Sequence, residues 1–156
     1  GVEKAKLSFD VFGNEKQVGK RVVLIGGGAI GIELGIHLSG LGHECTIVEM
    51  DEYVGAKCQL TERTAYLNAM KEYNVASMVN TTCVEITDEG AYVENADGKQ
   101  LLEADTVIIC VGTKPLEAER DRFIDTAFDV INVGDCVKAS SIVHAVHTGF
   151  NAGLTL

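Results

Sequence analysis

The sequence predicts an α/β fold, with a parallel sheet that has helices on both faces and a separate three-stranded antiparallel meander. Short, β-branched apolar runs alternate with helix-like segments through the first half of the chain, which is typical of strands buried in a parallel sheet. Between residues 83 and 102 the pattern changes to short segments joined by hairpin-type turns. Glycine is enriched, at 17 of 156 residues, and proline occurs once, which favours tight strand-to-helix turns.

The sequence predicts one main domain over residues 20–112, preceded by a leading segment with turns over residues 1–19. In chain order its predicted elements are a strand at 21–25, a helix at 29–41, a strand at 45–48, a helix at 60–73, a strand at 75–79, meander strands at 83–87, 91–94 and 100–102, and a strand at 106–110. The first strand, helix and second strand form a βαβ unit. In the second helix, Tyr66, Met70 and Tyr73 lie on one face, which predicts core packing.

The last third of the chain is less regular. Residues 113–128 are charged and poorly periodic, which predicts a surface connection. Residues 129–156 contain an apolar run at 130–133, predicted to be a last strand, and a helix of small residues at 141–156.

Composition excludes several classes of function. The 13 Lys and Arg residues are outnumbered by 23 Asp and Glu residues, so the net charge of −10 argues against a nucleic-acid partner. No run approaches the roughly 20 apolar residues that span a bilayer, so we expect no membrane anchor. The first residues contain no apolar signal-peptide core, and we therefore expect a cytoplasmic protein.

The five cysteines do not form a recognisable metal or redox motif. Their positions are Cys45, Cys58, Cys83, Cys110 and Cys136, and no Cys-x-x-Cys pair occurs among them. Zinc, iron–sulfur and local disulfide sites therefore lack support, and free buried thiols are expected. No metal ligand is assigned. No Ser/His/Asp or Cys/His arrangement is recognisable either, so no catalytic residue is assigned.

The clearest chemical motif is the glycine-rich turn after the first strand. Residues Gly26, Gly27, Gly28, Ala29, Ile30 and Gly31 fit the pattern G-x-G-x-x-G where a buried strand meets a helix. In such a turn Gly26 permits the tight bend, Gly28 lets the backbone approach a pyrophosphate, and Gly31 allows close packing of helix on strand. The free N–H groups and positive end of the helix would then hold the phosphates.

Glu49 strengthens the dinucleotide interpretation. It ends the second predicted strand, 23 residues after Gly26, close to the spacing of about 20 at which an acid meets the adenosine ribose. A carboxylate there accepts hydrogen bonds from both ribose hydroxyls and repels a 2′-phosphate, so NADH is favoured over NADPH. The next residues, Met50, Asp51 and Glu52, supply no cation for a 2′-phosphate.

Four segments together resemble the pyridine nucleotide–disulfide oxidoreductase superfamily. They are the run from Arg21 to Glu33, the run from Cys45 to Glu49, the run from Ala104 to Gly112, and Asn132-Val133-Gly134-Asp135. The chain is more closely similar to the C-terminal FAD/NADH-binding module of NADH:flavin oxidoreductases of the 2-enoate reductase and 2,4-dienoyl-CoA reductase type, related to old yellow enzyme. The resemblance covers about residues 10–156.

The resemblance implies a Rossmann-like, FAD/NAD(P)-binding fold and assigns further residues. Glu33 matches an acid near the nicotinamide ring, and Gly112 would line the same side. Gly134 and Asp135 resemble the returning FAD motif, whose Asp meets the ribityl or phosphate region. The chain would then be a fragment of a flavoprotein: a whole NADH-binding domain and, over residues 129–156, a returning piece of an FAD-binding domain.

In such a parent, NADH delivers hydride to FAD, and electrons pass through a [4Fe–4S] cluster to FMN, which reduces an activated C=C bond. The implied partners are the nicotinamide dinucleotide and the rest of the FAD domain. Edge pairing could also make the fragment a homodimer. The fragment itself is not expected to turn over substrate.

Two alternatives stay open. The chain could belong to an NADH oxidase, ferredoxin reductase or disulfide reductase, although the missing Cys-x-x-Cys removes one branch of the disulfide reductases. It could also be a non-catalytic dinucleotide-binding module.

Overall fold

The structure, a computed structural model, describes residues 1–155, and the chain divides into two units, Gly1–Val111 and Gly112–Leu156. The strands are β1 (Lys6–Leu7), β2 (Arg21–Ile25), β3 (Glu44–Val48), β4 (Ala76–Met78), β5 (Thr82–Thr87), β6 (Gly90–Asn95), β7 (Gly98–Glu103) and β8 (Thr106–Ile109). The helices are α1 (Ser8–Val11), α2 (Ala29–Gly40), α3 (Leu60–Glu72), α4 (Glu117–Asp121) and α5 (Ile142–Gly153).

The first unit is built on a five-stranded parallel sheet in the order β1-β8-β2-β3-β4. This confirms the predicted Rossmann-like α/β class. The register pairs Ile25 with Val48 on one side and with Ile109 on the other, so β2, β3 and β8 end level with one another. Residues that follow these three strands therefore meet at one edge of the sheet.

The leading segment contributes more to this sheet than the sequence indicates. Residues Lys6 and Leu7 form β1, which pairs in parallel with Ile108 and Ile109 of β8. The short helix α1 follows directly and buries Val11. A two-residue strand is too short for a hydrophobic pattern to reveal it.

The antiparallel meander β5-β6-β7 is confirmed as a separate three-stranded sheet. Its two hairpin turns use Gly90 and Gly98, whose φ values of +139° and +113° lie where residues with a side chain are strained. The meander buries Ala91 and Val93 completely.

The two faces of the parallel sheet are covered differently. On one face Leu24, Ile47 and Ile108 pack with residues of α2 such as Leu34 and Leu38. On the other face the packing residues come from the strands and from the meander: Val23, Val48, Val107, Ala91 and Val93. The prediction places helices on both faces, whereas the structure has helices on one face and the meander on the other.

The second unit contains α4 and α5, with no strand among residues 112–155. The predicted surface connection holds α4, and the predicted last helix is confirmed as α5, capped by the Ser141 hydroxyl, which accepts a hydrogen bond from His144 N–H. The strand predicted at residues 130–133 is wrong. A strand requires a paired neighbour, and this unit offers none. No helix within residues 1–155 combines the length and the apolar character that crossing a bilayer requires.

Replacing Leu24 should show how far stability depends on the helical face of the sheet. Leu24 is fully buried at the centre of that core, so Leu24→Ala should lower the free energy of unfolding by about 2–5 kcal/mol. Leu60, on α3, is 79% exposed, and Leu60→Ala should change the free energy of unfolding by less than about 0.5 kcal/mol. Urea denaturation measures both, and equal losses would show that this core is not the main source of stability.

Candidate functional site

The predicted site lies at the carboxyl edge of the parallel sheet. Beside β2 the strand order reverses, because the chain runs from β2 to β3 and β4 and then returns to place β8 on the other side of β2. Ligands of open α/β sheets bind in the crevice at such a point. Gly26 follows β2, Glu49 follows β3 and Cys110 follows β8, so all three lie at this edge.

Gly26 and Gly31 are required by the protein's own packing. Gly26 has φ +111°, and a Cβ atom there would lie 2.9 Å from the Cys110 carbonyl oxygen. A Cβ atom at Gly31 would overlap the Gly26 carbonyl oxygen and lie 3.3 Å from Cys110 Cβ. These two glycines let the turn bend sharply and let α2 lie close against the sheet.

Gly28 is different, because nothing in the protein requires a glycine there. Its φ is −73°, which any residue can adopt, and a Cβ atom would meet no protein atom within 4 Å. It precedes α2, and the first hydrogen bond of that helix runs from Ile32 N–H to the Gly28 carbonyl oxygen at 3.0 Å. Among residues 1–155, the N–H groups of Gly28, Ile30 and Gly31 have no hydrogen-bond acceptor. The turn therefore presents free N–H donors beside open space.

The Glu49 carboxylate is fixed in place by backbone donors. Its Oε2 atom accepts a hydrogen bond from Gly27 N–H at 2.6 Å, and its Oε1 atom accepts one from Asp51 N–H at 2.8 Å. Each carboxylate oxygen can accept a second hydrogen bond. Because Glu49 is half-buried, it can present these remaining lone pairs to a ligand with two adjacent hydroxyls.

The loop between β3 and α3 is held against the glycine turn. Gly55 N–H donates to the Gly27 carbonyl oxygen at 2.7 Å, and Arg63 Nε donates to the Val54 carbonyl oxygen at 2.8 Å. The Arg63 guanidinium also lies over the Tyr53 ring, 4.6 Å from its centroid. One backbone hydrogen bond thus joins this loop to the turn, and Arg63 of α3 holds the loop from the other side.

The predicted site residue Glu33 lies on α2 in a polar cluster with Tyr66 and Glu62 of α3, two residues to which the sequence reasoning gave no site role. The Tyr66 hydroxyl donates to Glu33 Oε1 at 2.5 Å and lies 3.3 Å from Glu62 Oε1. Burial raises the pKa of Tyr66 well above its ordinary value, and the Glu33 and Glu62 carboxylates raise it further. The predicted core packing holds for Met70, which is buried, and is wrong for Tyr73, which is exposed. Tyr66 is only partly buried against the core and carries this polar contact.

The cysteines are all free, as expected, although their burial differs. Cys45 and Cys110 are buried, and Cys58, Cys83 and Cys136 are half-buried. Burial raises the pKa of Cys110 to about 12, so that thiol stays protonated beneath the turn. Its role is to pack against Gly31.

The second unit holds the other three predicted site residues. Gly112 begins it and is exposed, with open space where a Cβ atom would lie. Gly134 has φ +60°, and its N–H donates to Thr148 Oγ1 at 3.0 Å, which joins this turn to α5. Asp135 is exposed, and its Oδ1 accepts a hydrogen bond from Ser140 N–H at 3.3 Å. It borders a cleft of about 440 Å³ that Lys114 and Arg120 also line.

Together, the strand-turn-helix geometry and the fixed acid define a dinucleotide-binding domain. The family model of the pyridine nucleotide-disulphide oxidoreductases matches residues 9–149, and the chain belongs to that family. Its membership confirms the resemblance of the four sequence segments.

Individual relatives are oxidoreductases that are several times longer. The chain is 32% identical over 150 residues to a bilirubin reductase from Mediterraneibacter gnavus, and this alignment covers 96% of the chain and 23% of the relative. It is 29% identical over 157 residues to a cinnamate reductase from Clostridium sporogenes, and this alignment covers 96% of the chain and 23% of the relative. A solved 2-naphthoyl-CoA reductase complex matches with a TM-score of 0.84 and 28% identity, covering 95% of this chain and 23% of that chain. The chain thus spans about a quarter of these relatives.

The thermal stability of two alanine variants should show that Gly31 is required for packing and that Gly28 is not. Gly31→Ala should lower the melting temperature by several degrees, because its Cβ atom overlaps the Gly26 carbonyl oxygen. Gly28→Ala should change it by less than about 2 °C, because its Cβ atom enters open space. Differential scanning calorimetry of both variants without ligand checks this, and an equal loss would mean that Gly28 also serves packing.

Proposed function

We propose that this chain is the NADH-binding domain of a flavin-dependent oxidoreductase, and that it positions NADH for hydride transfer to FAD in a reductase of activated C=C bonds. The observation that carries the proposal is the free space at Gly28. A glycine that the protein does not need, beside unpaired N–H donors at a helix start, is explained by a ligand that approaches the backbone. A pyrophosphate is such a ligand.

Each residue would have a distinct task. The N–H groups of Gly28, Ile30 and Gly31 would bind the pyrophosphate, and Ala29 would lie beside it. The Glu49 carboxylate would accept hydrogen bonds from the two ribose hydroxyls. NADH supplies the hydride and FAD accepts it, so the chain contributes position and electrostatics. No side chain of this chain is assigned an acid–base or nucleophilic role.

The second unit would contribute to the FAD site. Its cleft of about 440 Å³ has room for part of a flavin nucleotide, and Asp135 and the two nearby cations offer polar contacts. Helix α5 exposes the apolar side chains Ile142, Val143, Val146 and Phe150, and Leu154 directly after the helix is exposed as well. We infer that the rest of the FAD domain of a longer parent covers them. Pairing with a second copy of the chain is the other way to bury them.

The enoate reductase type is favoured by the named relatives. Cinnamate has a C=C bond conjugated to a carboxylate, which is the activated bond that such reductases need. FMN and a [4Fe–4S] cluster would belong to other parts of the parent. An NADH oxidase, ferredoxin reductase or disulfide reductase would use the same turn, as would a binding module without catalysis.

Substitution of Gly28 tests the proposal directly. Calorimetric titration of the wild-type chain with NADH should show saturable binding below millimolar concentration. Gly28→Ala should weaken it at least about tenfold, because the methyl group occupies the space of the pyrophosphate. Gly149→Ala is the matched control, since its Cβ atom also meets nothing within 4 Å but belongs to α5 and not to the glycine turn. Failure of the wild-type chain to bind NADH would contradict the proposal.

Glu49 should determine the choice between NADH and NADPH. The wild-type chain should bind NADH more tightly than NADPH. Glu49→Gln should weaken NADH binding about tenfold and reduce the discrimination, because it removes a charged acceptor and the repulsion of a 2′-phosphate. Glu52→Gln, an exposed acid in the following loop, should change neither affinity. Equal binding of NADH and NADPH by the wild-type chain would refute this role of Glu49.

A further inference from the structure

The peptide group between Gly27 and Gly28 is oriented by a hydrogen bond from the loop that follows β3. Gly55 N–H donates to the Gly27 carbonyl oxygen at 2.7 Å. This peptide is trans, so its carbonyl and its N–H group point in opposite directions. Because the Gly27 carbonyl faces Gly55, the Gly28 N–H is turned away from that loop, and it has no acceptor among residues 1–155.

Glycine on both sides leaves this peptide group free to take either orientation. A flip that exchanges the directions of the carbonyl and the N–H changes the ψ angle of Gly27 and moves the φ angle of Gly28 from −73° to a positive value. A side chain would make a positive φ costly, whereas glycine adopts it about as readily as a negative one. The hydrogen bond from Gly55 therefore selects one of two orientations that the glycines alone would allow.

The segment of residues 53–55, which contains this donor, is held by Arg63 of α3. Arg63 Nε donates to the Val54 carbonyl oxygen at 2.8 Å, and the guanidinium lies over the Tyr53 ring, 4.6 Å from its centroid. Gly55 makes room for this arrangement, because a Cβ atom there would lie 3.2 Å from Arg63 Cγ. Arg63 thus contacts both residues that precede the Gly55 donor and packs its own stem against that donor's residue.

We propose that Arg63 is a positioning residue, which holds the 53–55 segment so that Gly55 keeps the Gly28 N–H turned toward the pyrophosphate of the dinucleotide. This inference rests on the proposed function and assigns a role to a residue outside the glycine motif. A donor that already points outward need not be reoriented when the ligand binds, so the ligand binds more tightly. Arg63 acts here through the backbone, because its Nε proton is used by Val54 and its face by Tyr53.

Two neutral substitutions of Arg63 separate this backbone effect from a direct effect of its charge. The amide nitrogen of glutamine lies as many bonds from Cα as Nε of arginine does, so Arg63→Gln keeps a donor for the Val54 carbonyl. Arg63→Met has nearly the same shape and no donor. Arg63→Met should weaken binding of NADH by about threefold to tenfold, and Arg63→Gln by less than about twofold. ADP-ribose contains the pyrophosphate without the nicotinamide, and its affinity should change by the same factors.

A second pair of variants tests the Gly55 donor itself. Gly55 has φ +67°, so Gly55→Ala strains the backbone and pushes the new Cβ atom against Arg63. Gly42→Ala is the matched control, because Gly42 has φ +96° in the turn between α2 and β3 and its Cβ atom would meet nothing within 4 Å. Gly55→Ala should weaken NADH binding by at least about threefold, and Gly42→Ala should leave it unchanged.

The experiment combines calorimetric titration of each chain with NADH and with ADP-ribose at constant salt, a melting curve of each variant, and amide hydrogen exchange measured by NMR. Without ligand, the Gly55 amide should exchange at least about tenfold faster in Arg63→Met than in the wild-type chain and Arg63→Gln. A general loss of stability would instead speed exchange at buried sheet amides such as that of Leu24 to the same extent.

Three results would overturn the inference while leaving the proposed function intact: unchanged affinity in Arg63→Met, equal losses in Arg63→Met and Arg63→Gln, or a loss for NADH that ADP-ribose does not share. Equal losses would assign the effect to the charge of Arg63. If Arg63→Met does not fold, the Gly55 and Gly42 variants decide, and equal affinities of these two for NADH overturn the inference. If the wild-type chain binds neither ligand, the proposed function fails as well.

Discussion

The hydrogen bond between Gly27 N–H and the Glu49 carboxylate is the contact on which the geometry of the candidate site depends. It joins the glycine turn after β2 to the end of β3 over 2.6 Å. The parallel register makes this possible, because Ile25 pairs with Val48 and the next residue of each strand emerges at the same edge. A Cβ atom at Gly27 would lie 3.0 Å from Glu49 Cβ, so the middle glycine keeps the two elements close. The acid and the free N–H donors are therefore fixed relative to each other before any ligand binds.

Two acids near this turn are held by different means. Backbone N–H groups of two residues fix Glu49, whereas a phenol on a neighbouring helix fixes Glu33. The first arrangement follows from the fold, because any chain with this turn and register brings those N–H groups to the end of β3. The second depends on a single side chain 33 positions away in the sequence, on another helix. The position of Glu49 is thus set by the scaffold, whereas the position of Glu33 depends on a side chain of another helix.

The sequence predicts the parts of the fold whose signal is local. The β2 run, the glycine turn and Glu49 are adjacent or regularly spaced, and each has a physical requirement for its residue types. The meander is predictable for the same reason, because its turns need residues such as Gly90 and Gly98 at positive φ. Strand β1 and the strand predicted at residues 130–133 show the limit. A two-residue strand exists because β8 offers a pairing edge, and an apolar run of four residues stays irregular where its unit offers none.

The candidate site shows the same limit at the level of side chains. The helical spacing of Tyr66 and Met70 predicts that both face the core, and it cannot show that the longer side chain reaches past the core to another helix. Nor can a G-x-G-x-x-G pattern show which glycines the protein itself needs. Gly26 and Gly31 are explained by carbonyl and side-chain atoms that would meet a Cβ, whereas Gly28 is explained by nothing in the protein. Open space alone is not sufficient, since Gly149 has it too; Gly28 points to a ligand because it also stands beside free N–H donors at the start of a helix.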